Sequence, residues 1–108
     1  MTKPVRDAID RTIARAFQWP FLEATHIIIS CGTLLKVGLD LATVKRCVPL
    51  AWQKKRVVLL VDDPLNGVFL LSNPQLFGPP YNRKVEIVMT HPEIIDVLLE
   101  KRRSVVKG

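Results

Sequence analysis

Cysteine is scarce in this chain. Cys31 and Cys47 are the only two, too few for a disulfide framework, and they read as reduced and mostly buried thiols. Long apolar runs are missing as well, and none approaches the roughly 20 residues that cross a bilayer. Asp7, Asp10 and Arg11 interrupt the N-terminus, where a secretory leader needs an unbroken apolar stretch. Neither G-x-x-x-x-G-K-[ST] nor G-x-G-x-x-G occurs, so the glycine-rich cradles that hold nucleotide phosphates are absent. His26 and His91 lie far apart, without Cys, His or Glu at metal-ligand spacing. These absences argue against an enzyme, a metal centre or a bound cofactor. Acidic residues are outnumbered too, with 10 Asp+Glu against 16 Lys+Arg and a net charge of +6. That balance favours an acidic partner.

What is present suits one small folded unit. A length of 108 residues allows a single core, and 48% hydrophobic with 24% charged residues is ordinary for a folded domain. A small, basic, cytoplasmic domain is expected.

The first segment reads as a helix. Val5, Ile9, Ile13 and Phe17, with Ala8 and Ala16, recur at three- and four-residue steps and share a face. Arg6, Arg11 and Arg15 are left mainly on the others. Thr2 is the candidate cap, with Pro4 in the first turn. Pro20 ends the pattern, because the residue before a proline is pushed out of the helical region. Gln18-Trp19-Pro20-Phe21 forms an aromatic knot in a chain with 6% aromatics. Thr25 to Ser30 is β-branched and reads as extended or as a connector.

Asp40 is placed to cap a short helix over 41–47, with Leu41 and Val44 inward. Val48 to Trp52 and Arg56 to Val61 then read as strands joined by the polar turn Gln53-Lys54-Lys55. Pro49 consigns the first of them to an edge or to its own start. Val57 to Val61 is apolar at both parities, as in a strand covered on both faces. Asp62 to Gly67 stops that strand. Val68 to Leu71 fits helix or strand equally.

Lys84 to Met89 alternates polar and apolar at first, as a third strand does. Thr90-His91-Pro92-Glu93 matches a capping box and predicts a final helix. That helix buries Ile94, Val97 and Leu98 and carries Lys101-Arg102-Arg103 at its C-terminal end. The result is an α+β (α/β) domain: a small three-stranded sheet packed with helices. An N-terminal helix and knot over 1–22 precede an α-β-β-α-β-α core over 39–103.

The order of these pieces resembles the N-terminal domain of type II secretion and type IV pilus assembly ATPases, also called the MshE N-terminal domain. The helix ends in an aromatic-x-Pro-aromatic knot, here Trp19-Pro20-Phe21 after Phe17. A short helix runs into a "V-x-P-L" strand, here ending Val48-Pro49-Leu50. A "V-V-x-x-V-x-D-P-x-N" strand follows, matched by Val57 to Asn66. Last comes "V-E-x-V-x-x-x-P-E-x-I", matched from Val85 to Ile94 and Ile95. The similarity covers roughly 14–101, most of the chain. Two departures stand out. Gly67, Asn73 and Pro74 interrupt the segment that is a full helix in the family, so a short or broken helix is expected there. Arg6 to Arg15 also fails to reproduce the tandem "R-L-G-x-x-L-(V/I)-x-x-G" segments of members that bind cyclic di-GMP.

The resemblance implies a non-enzymatic docking or regulatory domain whose protein partner is a membrane-platform component of a secretion or pilus system. It places the chain in the cytoplasm, peripheral to the inner membrane through that partner. A mean hydropathy of +0.19 agrees, because it leaves apolar surface that a small core cannot hide. Arg6, Arg11, Arg15, Trp19 and Phe21 are the candidate partner-binding residues, combining basic charge with apolar anchors. Alternatively the aromatics simply cover the sheet edge. Lys54-Lys55-Arg56 is the second basic patch considered. One alternative function is a cyclic di-GMP sensor, with Arg11 and Arg15 for phosphates and Trp19 for stacking. Another is a nucleic-acid-binding module built on Lys54-Lys55-Arg56 and Lys101-Arg102-Arg103. A sheet that binds RNA needs exposed aromatics, and Trp52 alone qualifies, so nucleic acid is not expected.

Overall fold

The computed structural model describes residues 11–23, 27–77 and 83–106. Helix α1 occupies 11–16, and α2 is a single turn over Cys31–Leu34. Helix α3 (Leu39–Lys45) leads into strand β1 (Cys47–Trp52), then β2 (Arg56–Val61). Helix α4 (Pro64–Ser72) and a 3-10 turn (Pro74–Phe77) precede β3 (Lys84–Met89) and the long α5 (Pro92–Val106). The strands lie in the order β1-β2-β3 in a mixed sheet. β1 pairs antiparallel with β2, and β2 pairs parallel with β3. The α+β architecture read from the motifs is the one observed.

β2 is central and buried from Val57 to Val61, as its two-sided apolar pattern requires. Pro49 stands on the edge strand β1, where the register slips between Pro49 and Ala51. A missing N–H is tolerated at such a position. Helices α2, α3 and α5 pack together against β1, while α4 packs on β3 and β2.

Several local expectations are corrected. α3 starts at Leu39 with Gly38 as its cap and no side-chain cap bond, so Asp40 lies in the first turn instead of capping it. An acidic residue there still favours the helix through the macrodipole. α3 buries Ala42, and Val44 is 71% exposed, not inward. In α1 the buried residue is Ala14, while Ala16 and Phe17 face outward. Thr2, Pro4, Val5, Arg6, Ala8 and Ile9 fall outside the described residues.

The segment after β2 is a helix that runs unbroken through Gly67. Asp63 caps it by accepting from the Leu65 N–H at 2.9 Å, with Pro64 in the first turn. Of the interruptions expected at Gly67, Asn73 and Pro74, only the one at Gly67 is absent, and the helix ends at its C-cap Asn73. Segment 27–30, read as extended or as a connector, is a connector into α2 and forms no strand, while Phe21 bridges Met89.

α5 begins at Pro92, one residue later than a Thr90 cap requires. Thr90 is fully buried, and its hydroxyl donates to the Leu22 carbonyl at 3.0 Å, tying the β3–α5 junction to the N-terminal segment. Thr90→Val keeps the shape and removes the donor. A loss of about 1–3 kcal/mol is expected in urea titration, the usual effect of unpairing a buried polar group.

Candidate functional site

The knot is held by backbone geometry first. Gln18 adopts a left-handed conformation at φ 61°, which turns the chain sharply out of α1. Pro20 to Leu22 then run alongside the end of β3. The Met89 N–H donates to Pro20 O, and the Leu22 N–H donates to Met89 O, both at 2.8 Å. Trp19 stacks on Phe17 with ring centroids 4.6 Å apart. Its indole also lies against α4 at Gly67, where a Cβ would come within 2.8 Å of Trp19 and 3.2 Å of Ile87. Glycine is needed there for close approach, not for its backbone freedom.

Four of the sequence-predicted residues meet. Arg11, Arg15, Trp19 and Phe21, with Ala14, line one shallow depression of about 210 Å³. Three of them are already engaged. Arg11 pairs with Glu23 and lies over the Phe21 ring, 5.1 Å from its centroid. Phe21 meets His91 edge-on at 5.1 Å, and Trp19 is wedged against α4. Arg15 is exposed. Arg6 lies outside the described residues.

The second basic run is split. Arg56 pairs with Glu86 at 3.1 Å, whereas Lys54 and Lys55 stand in the exposed β1–β2 turn. The C-terminal run does not form a free strip either. Lys101 Nζ donates to Ile29 O at 3.0 Å, and the buried Arg102 donates to Val37 O through Nε and Nη2. Trp52 is covered by Phe77, edge-on at 6.1 Å, and by Arg83 at 4.9 Å. Among the described residues no group of three or more His, Cys, Asp or Glu side chains is placed to hold a metal ion. Burial pushes the Cys47 thiol up to about 12, which makes it unreactive as a nucleophile. Among the described residues no helix is long and apolar enough to cross a membrane.

The surface that sequence reasoning missed is the outer side of α4. From Pro64 to Phe77 the chain carries no charged residue. The helix buries Gly67 and Leu70. Leu65 is left 77% exposed, and Val68, Phe69 and Leu71 are also exposed. A helix apolar on all sides belongs in a protein interior, yet here one side faces outward. Phe17, Ile13, Leu65 and Val68 wall a cleft of about 370 Å³ that ends at Asp62 and Asp63. Lys45 Nζ stands 4.0 Å from the Phe69 ring centroid and puts positive charge beside the patch. The signal available in the sequence was the uncharged run itself, obscured by the helix-or-strand ambiguity of Val68 to Leu71.

At the C-terminal end of β2, beside that cleft, Arg46 in its left-handed backbone conformation (φ 47°) ties three elements together. Its Nε donates to the buried Asp62 at 2.7 Å, and its Nη2 donates to Asp96 at 2.6 Å and to Pro92 O at 3.3 Å. Burial is the largest influence on Asp62 and raises its pKa, with Arg46 opposing. Because the clasp is satisfied internally, it is architecture for the α4 N-terminus, not a reactive centre.

No family model matches the sequence, and no curated protein matches it. Solved structures do. MshE with cdg superimposes with a TM-score of 0.70 at 11% identity, over 87% of this chain and 66% of that one. The N-terminal domain of XpsE gives 0.63 at 14% identity, over 88% of this chain and 64% of that one. The chain thus spans just under two thirds of each of these structures. The likeness that the motif order carries extends to three dimensions: this chain has the fold of the MshE and XpsE N-terminal domains.

Proposed function

We propose that this chain is a non-enzymatic protein-interaction domain, cytoplasmic, that docks onto a membrane-platform component of a secretion or pilus system. The observation that carries the reading is the uncharged α4 with Leu65, Val68, Phe69 and Leu71 outward beside Phe17. Contiguous exposed apolar surface of this kind marks an interface. Lys45 beside Phe69 suits a partner with an acidic rim. The fold shared with the XpsE N-terminal domain supports the same class of function.

The test is a pull-down with the tagged chain and its Leu65→Ser, Phe69→Ser double variant. Melting temperatures should be nearly equal, since surface substitutions usually stay within ~0.5 kcal/mol. Capture of platform proteins should fall at least tenfold in the variant, because central apolar anchors dominate binding energy. Equal capture by the two proteins removes α4 from the interface.

A second reading, cyclic di-GMP binding, draws on the depression where Arg11, Arg15, Trp19 and Phe21 converge and on the fold shared with MshE, which was solved with cdg. Its volume of about 210 Å³ is below the ~300–1,000 Å³ of ordinary ligand sites, and Glu23 already occupies Arg11. The docking reading is therefore preferred. Calorimetry with cyclic di-GMP decides: sub-micromolar binding abolished by Arg15→Ala would reverse the order.

A further inference from the structure

The outer edge of β3 is paired at one end, and along the rest no described strand pairs with it, while Val85 and Ile87 themselves are buried at the floor of a groove. Both polar backbone groups of Met89 bond to the Pro20–Leu22 segment. Backbone groups alternate sides along a strand. The N–H donors of Lys84 and Thr90 point the other way, to Lys55 O and Val61 O on the β2 side. The same alternation sends the N–H and C=O of Val85 and Ile87 outward, and no backbone bond joins them to a described residue across that edge. A groove of about 640 Å³ runs along them, from Pro20 and Trp19 to Lys84. Unpaired ladder groups on a sheet edge are a template for another strand.

We propose that this edge binds an extended segment of a partner protein as an added strand, collinear with Pro20–Leu22. The chain's own segment already uses the edge in this way at Met89. The walls define the occupant further. On the α4 side they are Leu71, Phe17 and Trp19, and on the opposite side Arg56 and Lys84. Arg56 is neutralised by Glu86, so Lys84 leaves one positive charge in surplus. An extended peptide presents alternate residues to the two sides. The fitting segment therefore has apolar residues at one parity, a carboxylate at the other, and no proline between. This inference rests on the interaction-domain reading and adds how the partner is held.

The probe is a random dodecapeptide library displayed on phage and selected on the intact chain, followed by synthetic copies of the enriched sequences. In the free chain, the amides of Glu86 and Val88 should exchange slowly with deuterium, and those of Val85 and Ile87, which lack a backbone acceptor, faster than these. Added peptide should slow Val85 and Ile87 at least tenfold. Val85→Pro removes an outward donor while sparing the bonds to β2, and should weaken the peptide at least tenfold. Should that variant fail to fold, Leu71→Ser and Lys84→Glu probe the same groove through side chains, each with a severalfold loss. Failure to enrich any peptide that protects Val85 and Ile87 overturns the proposal. Peptides that instead shift only Val68 and Phe69 overturn it too, while leaving the docking role of α4 intact. Protection that grows with chain concentration alone means that the occupant is a second copy, and again the proposal falls.

Discussion

Arg46→Met should cost about 3–5 kcal/mol, because removing one partner of a buried ion pair leaves the other charge without compensation. Asp62 is 3% exposed and takes its bond from Arg46 Nε at 2.7 Å. Total stability for a domain of this size is of order 5–15 kcal/mol, so the variant sits near the edge of folding. Asp96, the other acidic partner, is exposed. Asp96→Ala should therefore cost about 0–1 kcal/mol.

The deficit depends on pH in a direction set by Asp62. Its carboxyl titrates above the ordinary value, chiefly through burial. A group raised in this way stabilises the fold fully below its unfolded pKa and loses that contribution as pH rises through the folded one. Without Arg46 the folded value rises further. The gap between variant and wild type should be smallest near pH ~4 and widest near pH ~7. Urea titrations across that range check it, and a pH-independent gap would mean that Asp62 stays solvated when Arg46 is gone.

The second large effect separates two neighbours on α5. Leu98 is 1% exposed and Val97 is 65% exposed. Leu98→Ala should cost about 2–5 kcal/mol, the sum of lost burial and a cavity. Val97→Ala should stay within ~0.5 kcal/mol. Sequence reading placed both against the sheet, because both fall in one apolar run. Ile94, Ile95, Leu98 and Leu99 are the apolar residues that α5 buries. They span the i, i+4 rows of one face, and Val97 falls off that face.

Much of the fold was legible in the residues themselves. The alternation in Lys84 to Met89, the two-sided apolar run of β2 and the proline on the edge strand β1 each report a local constraint. A strand's faces, its covering and its missing donors are written in neighbouring positions. The knot was legible for the same reason, since Pro20 ends a helix wherever it occurs. Arg11, Arg15, Trp19 and Phe21 were selected as a group and do meet in one depression.

Their sequence spacing could not show that Glu23 takes Arg11 or that Gly67 admits the indole of Trp19. Nor could it show that Lys101 and Arg102 donate to carbonyls of Ile29 and Val37. Those are contacts between segments distant along the chain. The same limit applies to α4, whose apolar residues are equivalent in the sequence until packing chooses Gly67 and Leu70 for the interior. The sequence by itself determined most of the helices and strands, though not whether Val68 to Leu71 is one or the other, because φ/ψ preferences and apolar periodicity act over a few residues. Only the tertiary structure decided which apolar and basic side chains remain available to a partner, because burial is settled by what lies across the fold.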